Sequence, residues 1–293
     1  LRRQRQMCIR DRDNALKNLQ EKGEMVIGLD DTFAPMGFRD EKGNIIGFDI
    51  DLANEVANRI GVKAIFKPCE WDGIIFDLRS KKIDLIWNGL TITPQREQQI
   101  AFSTPYFDDD QIVIVKNPNI KSFEDLKGKN IGVQLGSASY FAFENSPLSK
   151  TTGKVNKYST NVEALLDLEA GRTDAVVIDA VVGKYYVAKK DGFVVLNEIL
   201  DKQQMGIGMR KQDLSLKNKI DETLANMKYI SVRDTWTRDM MLAIGTTQNI
   251  EVTPDPVFSF NYNAGALVPS EEDLRIRFNL PKQYVLVLSL IHI

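Results

Sequence analysis

Residues 48–61 read FDIDLANEVANRIG, and the fold turns on how this stretch is read. Phe48, Leu52, Val56 and Ile60 recur every fourth residue and form one apolar stripe, which predicts a helix with a single buried face. Ala53 and Ala57 lie beside the stripe and let the helix approach a sheet closely. Gly61 suits a left-handed cap at the helix end. Upstream, residues 25–29 predict a strand, a loop covers 30–35, and Gly43-Asn44 predicts a turn within a hairpin. Downstream come a strand over 64–67, a helix over 72–80 and a strand over 83–87. Strands alternating with helices of this length imply βαβ units and a mostly parallel sheet.

A second set follows a β-rich run at 111–116 and a break at Asn117-Pro118-Asn119. Ser122 is placed to cap a short helix over 123–126. A strand is expected over 130–134, and Gly136-Ser137 opens a helix. Thr160 caps a helix over 162–170 that Gly171 ends. Strands are expected over 175–178 and 193–196, and 206–209 leads back out. An internal echo links the two sets: Asp77-Leu78, Lys82 and Asp84 are matched ninety positions on by Asp167-Leu168, Arg172 and Asp174. The echo points to two similar lobes.

Composition narrows the function classes. The chain has 293 residues, enough for about two domains, and a net charge of -2 with no basic stripe, which argues against nucleic acid as a partner. No apolar run reaches the ~20 residues needed to span a bilayer. The two cysteines, Cys8 and Cys69, form neither a disulfide framework nor a metal-ligand spacing. The one histidine, His292, lies at the C-terminal edge and removes most histidine-based catalysis. No cofactor motif is present, and Gly136-Ser137-Ala138-Ser139 lacks the Lys-Ser/Thr ending of a phosphate loop.

Three features sit beside strand ends and together suit a zwitterion. Arg96, in Thr91-Ile92-Thr93-Pro94-Gln95-Arg96, offers a planar fork for a carboxylate, and Thr91 adds a hydroxyl. The helix start at Ser137 presents free N–H groups to an anion. Asp179, at the end of its strand, faces the crevice where α/β sheets bind ligands and suits an ammonium group, or else caps the helix after it. Phe33 and Trp71 are candidates for an apolar wall.

The ordered set Gly47-Phe48-Asp49-Ile50-Asp51-Leu52-Ala53, Trp87-Asn88-Gly89-Leu90-Thr91-Ile92-Thr93-Pro94-Gln95-Arg96, Phe102-Ser103-Thr104-Pro105-Tyr106, Leu126-Lys127-Gly128-Lys129 and Val133-Gln134-Leu135-Gly136-Ser137 resembles the polar amino-acid-binding proteins of bacterial ABC importers. The resemblance implies an α/β fold of two Rossmann-like lobes joined by two crossing strands, the periplasmic binding protein type II architecture. The crossings are expected near 109–113 and 203–208. Lobe 1 would comprise 24–110 and 206–228, and lobe 2 would comprise 111–205. By the same resemblance, Arg96 binds the ligand carboxylate together with Ser137 and Ala138, and Asp179 binds its ammonium group. Phe33 covers its side chain, Asn88, Gly89 and Thr91 line the first wall, and Asp30 meets a distal cationic group in some members. Ala138 stands where many members carry a hydroxyl, and Asn88-Gly89 replaces a common Ser-Ser pair, so the substrate does not transfer.

The resemblance further implies a monomer that captures a free amino acid outside the cytoplasm, in the periplasm or as a cell-surface lipoprotein, and hands it to a membrane permease without catalysis. Two alternatives share the fold: a cyclohexadienyl dehydratase-like enzyme, for which Glu70 and Glu144 are unassigned acids, and the ligand-binding domain of a membrane sensor. Residues 1–23 stand outside the pattern and read as foreign or disordered sequence; 1–12 resembles translated adapter. Residues 229–293, with a helix expected over 234–242, are an unassigned tail that reads as a joined fragment.

Overall fold

The computed structural model describes residues 13–226 and the backbone of three short strands beyond them. Helix α1 (Ala15–Lys22) ends at Gly23 in the left-handed conformation and leads into β1 (Glu24–Leu29). A small antiparallel sheet follows, β2 (Thr32–Phe33), β3 (Gly37–Arg39) and β4 (Ile45–Ile46). Helix α2 (Phe48–Ile60) buries the apolar stripe and both alanines, and Gly61 closes it as a left-handed cap. Strand β5 (Lys63–Pro68), a 3₁₀ turn at Trp71–Gly73, α3 (Ile74–Arg79), β6 (Leu85–Ile86), α4 (Pro94–Glu97) and β7 (Ala101–Phe102) complete the first set.

The chain then runs into β8 (Phe107–Val115), the longest strand among the described residues. After a 3₁₀ turn at Phe123–Leu126 come β9 (Ile131–Gln134), α5 (Ala138–Asn145) and, past a second 3₁₀ turn at Pro147–Lys150, β10 (Val155–Tyr158). Helix α6 (Asn161–Glu169), β11 (Ala175–Asp179), α7 (Ala180–Lys189), β12 (Val194–Val195), β13 (Asp201–Met205), β14 (Gly208–Met209) and α8 (Leu214–Ala225) follow. Ser122 and Thr160 both form reciprocal capping boxes, with Asp125 and Glu163. Strands β15 (Ile230–Val232), β16 (Ile250–Val252) and β17 (Val285–Leu286) pair in parallel.

Two main sheets result, in the orders β5-β1-β6-β14-β7 and β10-β9-β11-β8-β12, with β13 also on β8. They are mixed rather than mostly parallel. Each has three parallel strands at one side, β5-β1-β6 and β10-β9-β11, but β14 runs antiparallel to β6 and β7, and β8 antiparallel to β11, β12 and β13. The crossing ribbon causes this: a chain that leaves one sheet and returns must reverse direction in each. The ribbon is β8 from Phe107 to Gln111 paired with β13. It begins before the expected position because Asp108-Asp109-Asp110 carries no apolar run to mark a strand.

Buried faces explain the sequence runs. In the second sheet Val113, Val115, Ala175 and Val177 pack with Leu126 and Phe143 on one side. Ile112, Ile114, Val176 and Ile178 pack with Leu165 and Val181 on the other. A strand buried on both faces reads as a continuous apolar run, which is what 112–115 and 175–178 show.

The echo is physical. Lys82 pairs with Asp77, as Arg172 pairs with Asp167. Asp84 accepts from the Val26 N–H at 3.0 Å, as Asp174 accepts from the Asn130 N–H at 2.8 Å. The same carboxylate thus clamps the start of the same strand in each half.

Residues 13–23 correct the expectation of foreign or disordered sequence. Leu19 is buried, and Asp13 accepts from the Ser215 hydroxyl at 2.6 Å, tying this segment to α8. The short α1 carries only one fully buried apolar residue, too few for a periodic signal. The expectations for 1–12 and for a helix over 234–242 lie outside the described residues. No helix among the described residues is long and apolar enough to cross a membrane.

Ile178→Ala should destabilise the fold by about 2–5 kcal/mol, because it opens a cavity in a face that is fully closed. Thr160→Ala should cost about 1 kcal/mol through its cap. Urea denaturation midpoints of both variants check this ranking.

Candidate functional site

The loops that leave β1, β6, β9 and β11 converge between the two sheets. Thr93 caps α4 by accepting from the Arg96 N–H at 3.2 Å, and Pro94 fits the first helical turn. This turn aims Arg96 inward. The buried guanidinium donates from Nη1 to the Thr91 carbonyl at 2.8 Å and from Nη2 to the Gly136 carbonyl at 3.1 Å. Gly136 belongs to the other half, so this bond bridges the sheets. Burial lowers the Arg96 pKa to about 10, partly offset by the negative charge of Asp179, and the group remains a cation at neutral pH.

Gly136 must be glycine. Its φ is +72°, and a Cβ there would stand 3.0 Å from the Asp72 Cα across the cleft. Just beyond it, Ser137 caps α5 by accepting from the Tyr140 N–H at 3.0 Å, as the capping reading of this helix start expects. Ala138 is buried in the first turn.

Trp71 lies under the guanidinium, with the Arg96 Cζ 5.8 Å from a ring centroid. Phe33 lies 6.5 Å from Trp71 with the ring planes within 6° of parallel. Gly89 packs on Phe33, since a Cβ there would meet the ring at 2.4 Å. A cavity of about 400 Å³ opens beside these groups, lined by Trp71, Ile75, Arg96, Gly136 and Phe141.

Asp30 is buried at the end of β1. Its Oδ1 accepts from the Thr32 hydroxyl at 2.6 Å, and its Oδ2 accepts from Gln134 Nε2 at 2.8 Å, a second bond between the two halves. Its backbone N–H donates to Asn88 Oδ1 at 3.2 Å. Asn88 Nδ2 is buried with no hydrogen-bond partner among the described residues and lies against Gly37, where a Cβ would meet it at 2.4 Å.

Asp179 is buried at the end of β11. It occupies the cap position of α7 but makes no capping bond; Asp109 accepts from the Val181 N–H at 3.1 Å instead. That frees the Asp179 carboxylate for the site. Its Oδ1 accepts from Gln111 Nε2 at 2.8 Å. Burial raises the Asp179 pKa, and hydrogen bonds from Gln111 and Asp109 with the charge of Arg96 oppose the rise. Burial and then the negative charge of Asp179 raise the Asp109 pKa well above its ordinary value.

Of the ten residues singled out from the sequence, Trp71 and Arg96 line the cavity, and direct contacts join Phe33 to Trp71 and Gly89, Thr91 to Arg96 and Asn88 to Asp30. Sequence reasoning missed Asp49, Asp109, Gln111, Gln134 and Ser139. A glutamine inside an apolar strand run was the available signal for Gln111 and Gln134, since a buried amide needs partners. Asp49 had no such signal, because it lies on a helix among exposed-looking carboxylates. Glu70 and Glu144 are exposed. Among the described residues no cluster of His, Cys, Asp or Glu could hold a metal ion.

The model of the bacterial extracellular solute-binding proteins, family 3, matches residues 25–233. A polysaccharide pyruvyl transferase model matches residues 195–292 and overlaps the first. The L-cystine-binding protein TcyJ of Escherichia coli K12 is 33% identical over 221 residues, covering 74% of this chain and 82% of that protein. The histidine-binding periplasmic protein of the same strain is 36% identical over 214 residues, covering 69% and 81%. The crystal structure of an ABC uptake transporter substrate-binding protein from Streptococcus pneumoniae with bound histidine matches with a TM-score of 0.72 at 33% identity, covering 80% of this chain and 96% of that one.

Asp49 holds the Gly89 wall by accepting from its N–H at 2.6 Å and from the Tyr106 hydroxyl at 2.9 Å. Burial lifts its pKa from 3.8 to about 7. A carboxyl that keeps its proton longer in the folded state helps stability most at low pH and loses that contribution as pH rises through the folded value. Relative to Asp49→Asn, the wild type should therefore lose on the order of a few kcal/mol between about pH 4 and pH 8. Chemical denaturation of both proteins across that range measures it.

Proposed function

The chain belongs to the bacterial extracellular solute-binding proteins, family 3, and on that footing we propose that it captures one free amino acid between its two sheets and presents it to the permease of an ABC importer. The observation that carries the reading is the opposition of one buried cation and one buried anion across the cleft. Arg96 supplies two-pronged donation to a carboxylate, reinforced by the α5 start at Ser137 and Ala138. Asp179 accepts from the ammonium group. Asn88, Gly89 and Thr91 form the first wall, and Phe33 and Trp71 flank the side chain with Asp30 beyond. The names of the relatives, which bind cystine and histidine, support an amino-acid ligand.

Arg96 and Asp179 lie on opposite sides of the ribbon formed by β8 and β13. A zwitterion touching both stabilises the closed arrangement over an open one by its extra contacts, and closure is a population shift. We assign residues 24–106 and 206–226 to one lobe, with α1 joined to it, and the intervening segment to the other. The protein works outside the cytoplasm, in the periplasm or anchored at the cell surface, as a monomer, and performs no chemistry of its own.

A thermal-shift screen against the twenty amino acids and L-cystine tests this. A ligand at about 100 times its Kd should stabilise by about 2.7 kcal/mol, a shift of several degrees. A folded protein that shifts with none of them refutes the reading. Arg96→Ala and Asp179→Ala should each weaken binding by about 2 kcal/mol or more in calorimetry, since each strands its partner charge.

A further inference from the structure

Gln111 lies on the crossing strand β8 and is fully buried. Its Nε2 donates to Asp179 Oδ1 at 2.8 Å and to Gln203 Oε1 at 3.0 Å, and its Oε1 accepts from the Ser139 hydroxyl at 2.5 Å. Both amide hydrogens are used. A carboxylate only accepts, so the amide has to turn its nitrogen to Asp179, and the serine hydroxyl fixes the other end. One side chain thus joins both crossing strands, the first turn of α5 and the ammonium-binding carboxylate.

We propose that Gln111 is a positioning residue for ligand capture, which holds the Asp179 carboxylate aimed and ionised and ties its orientation to the crossing ribbon. The proposal rests on the amino-acid reading above. The charged and titratable groups facing Asp179 are Arg96 from α4, and Asp109 with Asp110 beyond it from β8; α5 and β13 contribute only the neutral Ser139 and Gln203. Arg96 favours the anion, while Asp109 is itself pushed up by burial and by the Asp179 charge. Gln111 adds a fixed donor, and a hydrogen bond to the charged form favours that form.

The sign of the effect follows. Without the Gln111 donor, the Asp179 carboxyl protonates at higher pH, and a neutral carboxyl no longer holds an ammonium group. Gln111→Met conserves bulk and removes the bonds. Calorimetry with L-arginine, L-histidine and L-cystine between pH 4 and pH 8 should show affinity reduced roughly ten- to hundredfold at neutral pH, with the acid limb of binding moved up by about one pH unit. A purely structural role would lower affinity equally at every pH. Gln111→Leu, which also removes the amide, reads the same upward movement should Gln111→Met not fold. An acid limb that stays in place in a folded variant overturns the proposal. Carbon NMR titration of the Asp179 carboxyl, wild type against variant, needs no ligand. If the wild type binds none of the three probes, the amino-acid reading is in question while that titration still decides the role of Gln111.

Discussion

The Arg96 guanidinium is out of water, and a buried cation has to find acceptors in the protein. Its two hydrogen-bonded acceptors are backbone carbonyls, Thr91 on its own side and Gly136 on the far side. Thr91 is itself held by a bridge to Met205 at the end of the returning strand. Gly136 turns its carbonyl toward the cleft only because its φ is positive. The packing of the two halves, the return of the ribbon and the glycine turn before α5 all meet at this one side chain. Trp71 covers the remaining face of the guanidinium, and Phe33 extends that wall.

The carboxylates around it obey a similar constraint. Asp30, Asp109 and Asp179 are all buried, and three unrelieved anions in one cleft would repel. Each is relieved differently. Asp30 accepts from Thr32 and Gln134. Asp109 accepts from the Val181 N–H and so caps α7. Asp179 takes the Gln111 amide and the field of Arg96. Two buried glutamines therefore do equivalent work, both from the second sheet, Gln111 on β8 and Gln134 on β9. Gln134 donates to Asp30 and to the Ser159 carbonyl while accepting from Asn161. An amide can donate twice and accept once without carrying charge, which suits it to fixing a carboxylate without neutralising it.

The ninety-residue echo shows how one local solution serves both halves. A carboxylate one residue ahead of a strand clamps a backbone N–H of the neighbouring strand, and a basic residue before it pairs back to the preceding helix. The shared device orders the helix–strand joints from which the site loops emerge. The halves then diverge: one loop carries the arginine and the other the aspartate.

The sequence by itself determined the helix at 48–60, the capped starts at Ser122, Ser137 and Thr160, and the two-lobed α/β class, because those signals are local. A stripe, a cap and a glycine end need only near neighbours. It also marked Arg96, on the short helix that follows β6, and Asp179, at the end of the apolar strand β11. What only the tertiary structure decided is longer in range. The polar strand at 107–111 exists because it pairs with 201–205, so no periodicity announced it. Helix α1 is held by α8, far away in the chain. Which aspartate caps α7 and which faces the cleft depended on β8 lying beside β11, since that pairing brings Asp109 to the Val181 N–H and leaves Asp179 free. Residues in a pattern can be read one strand at a time, but the partner of a buried polar group is set by the fold that brings distant strands together.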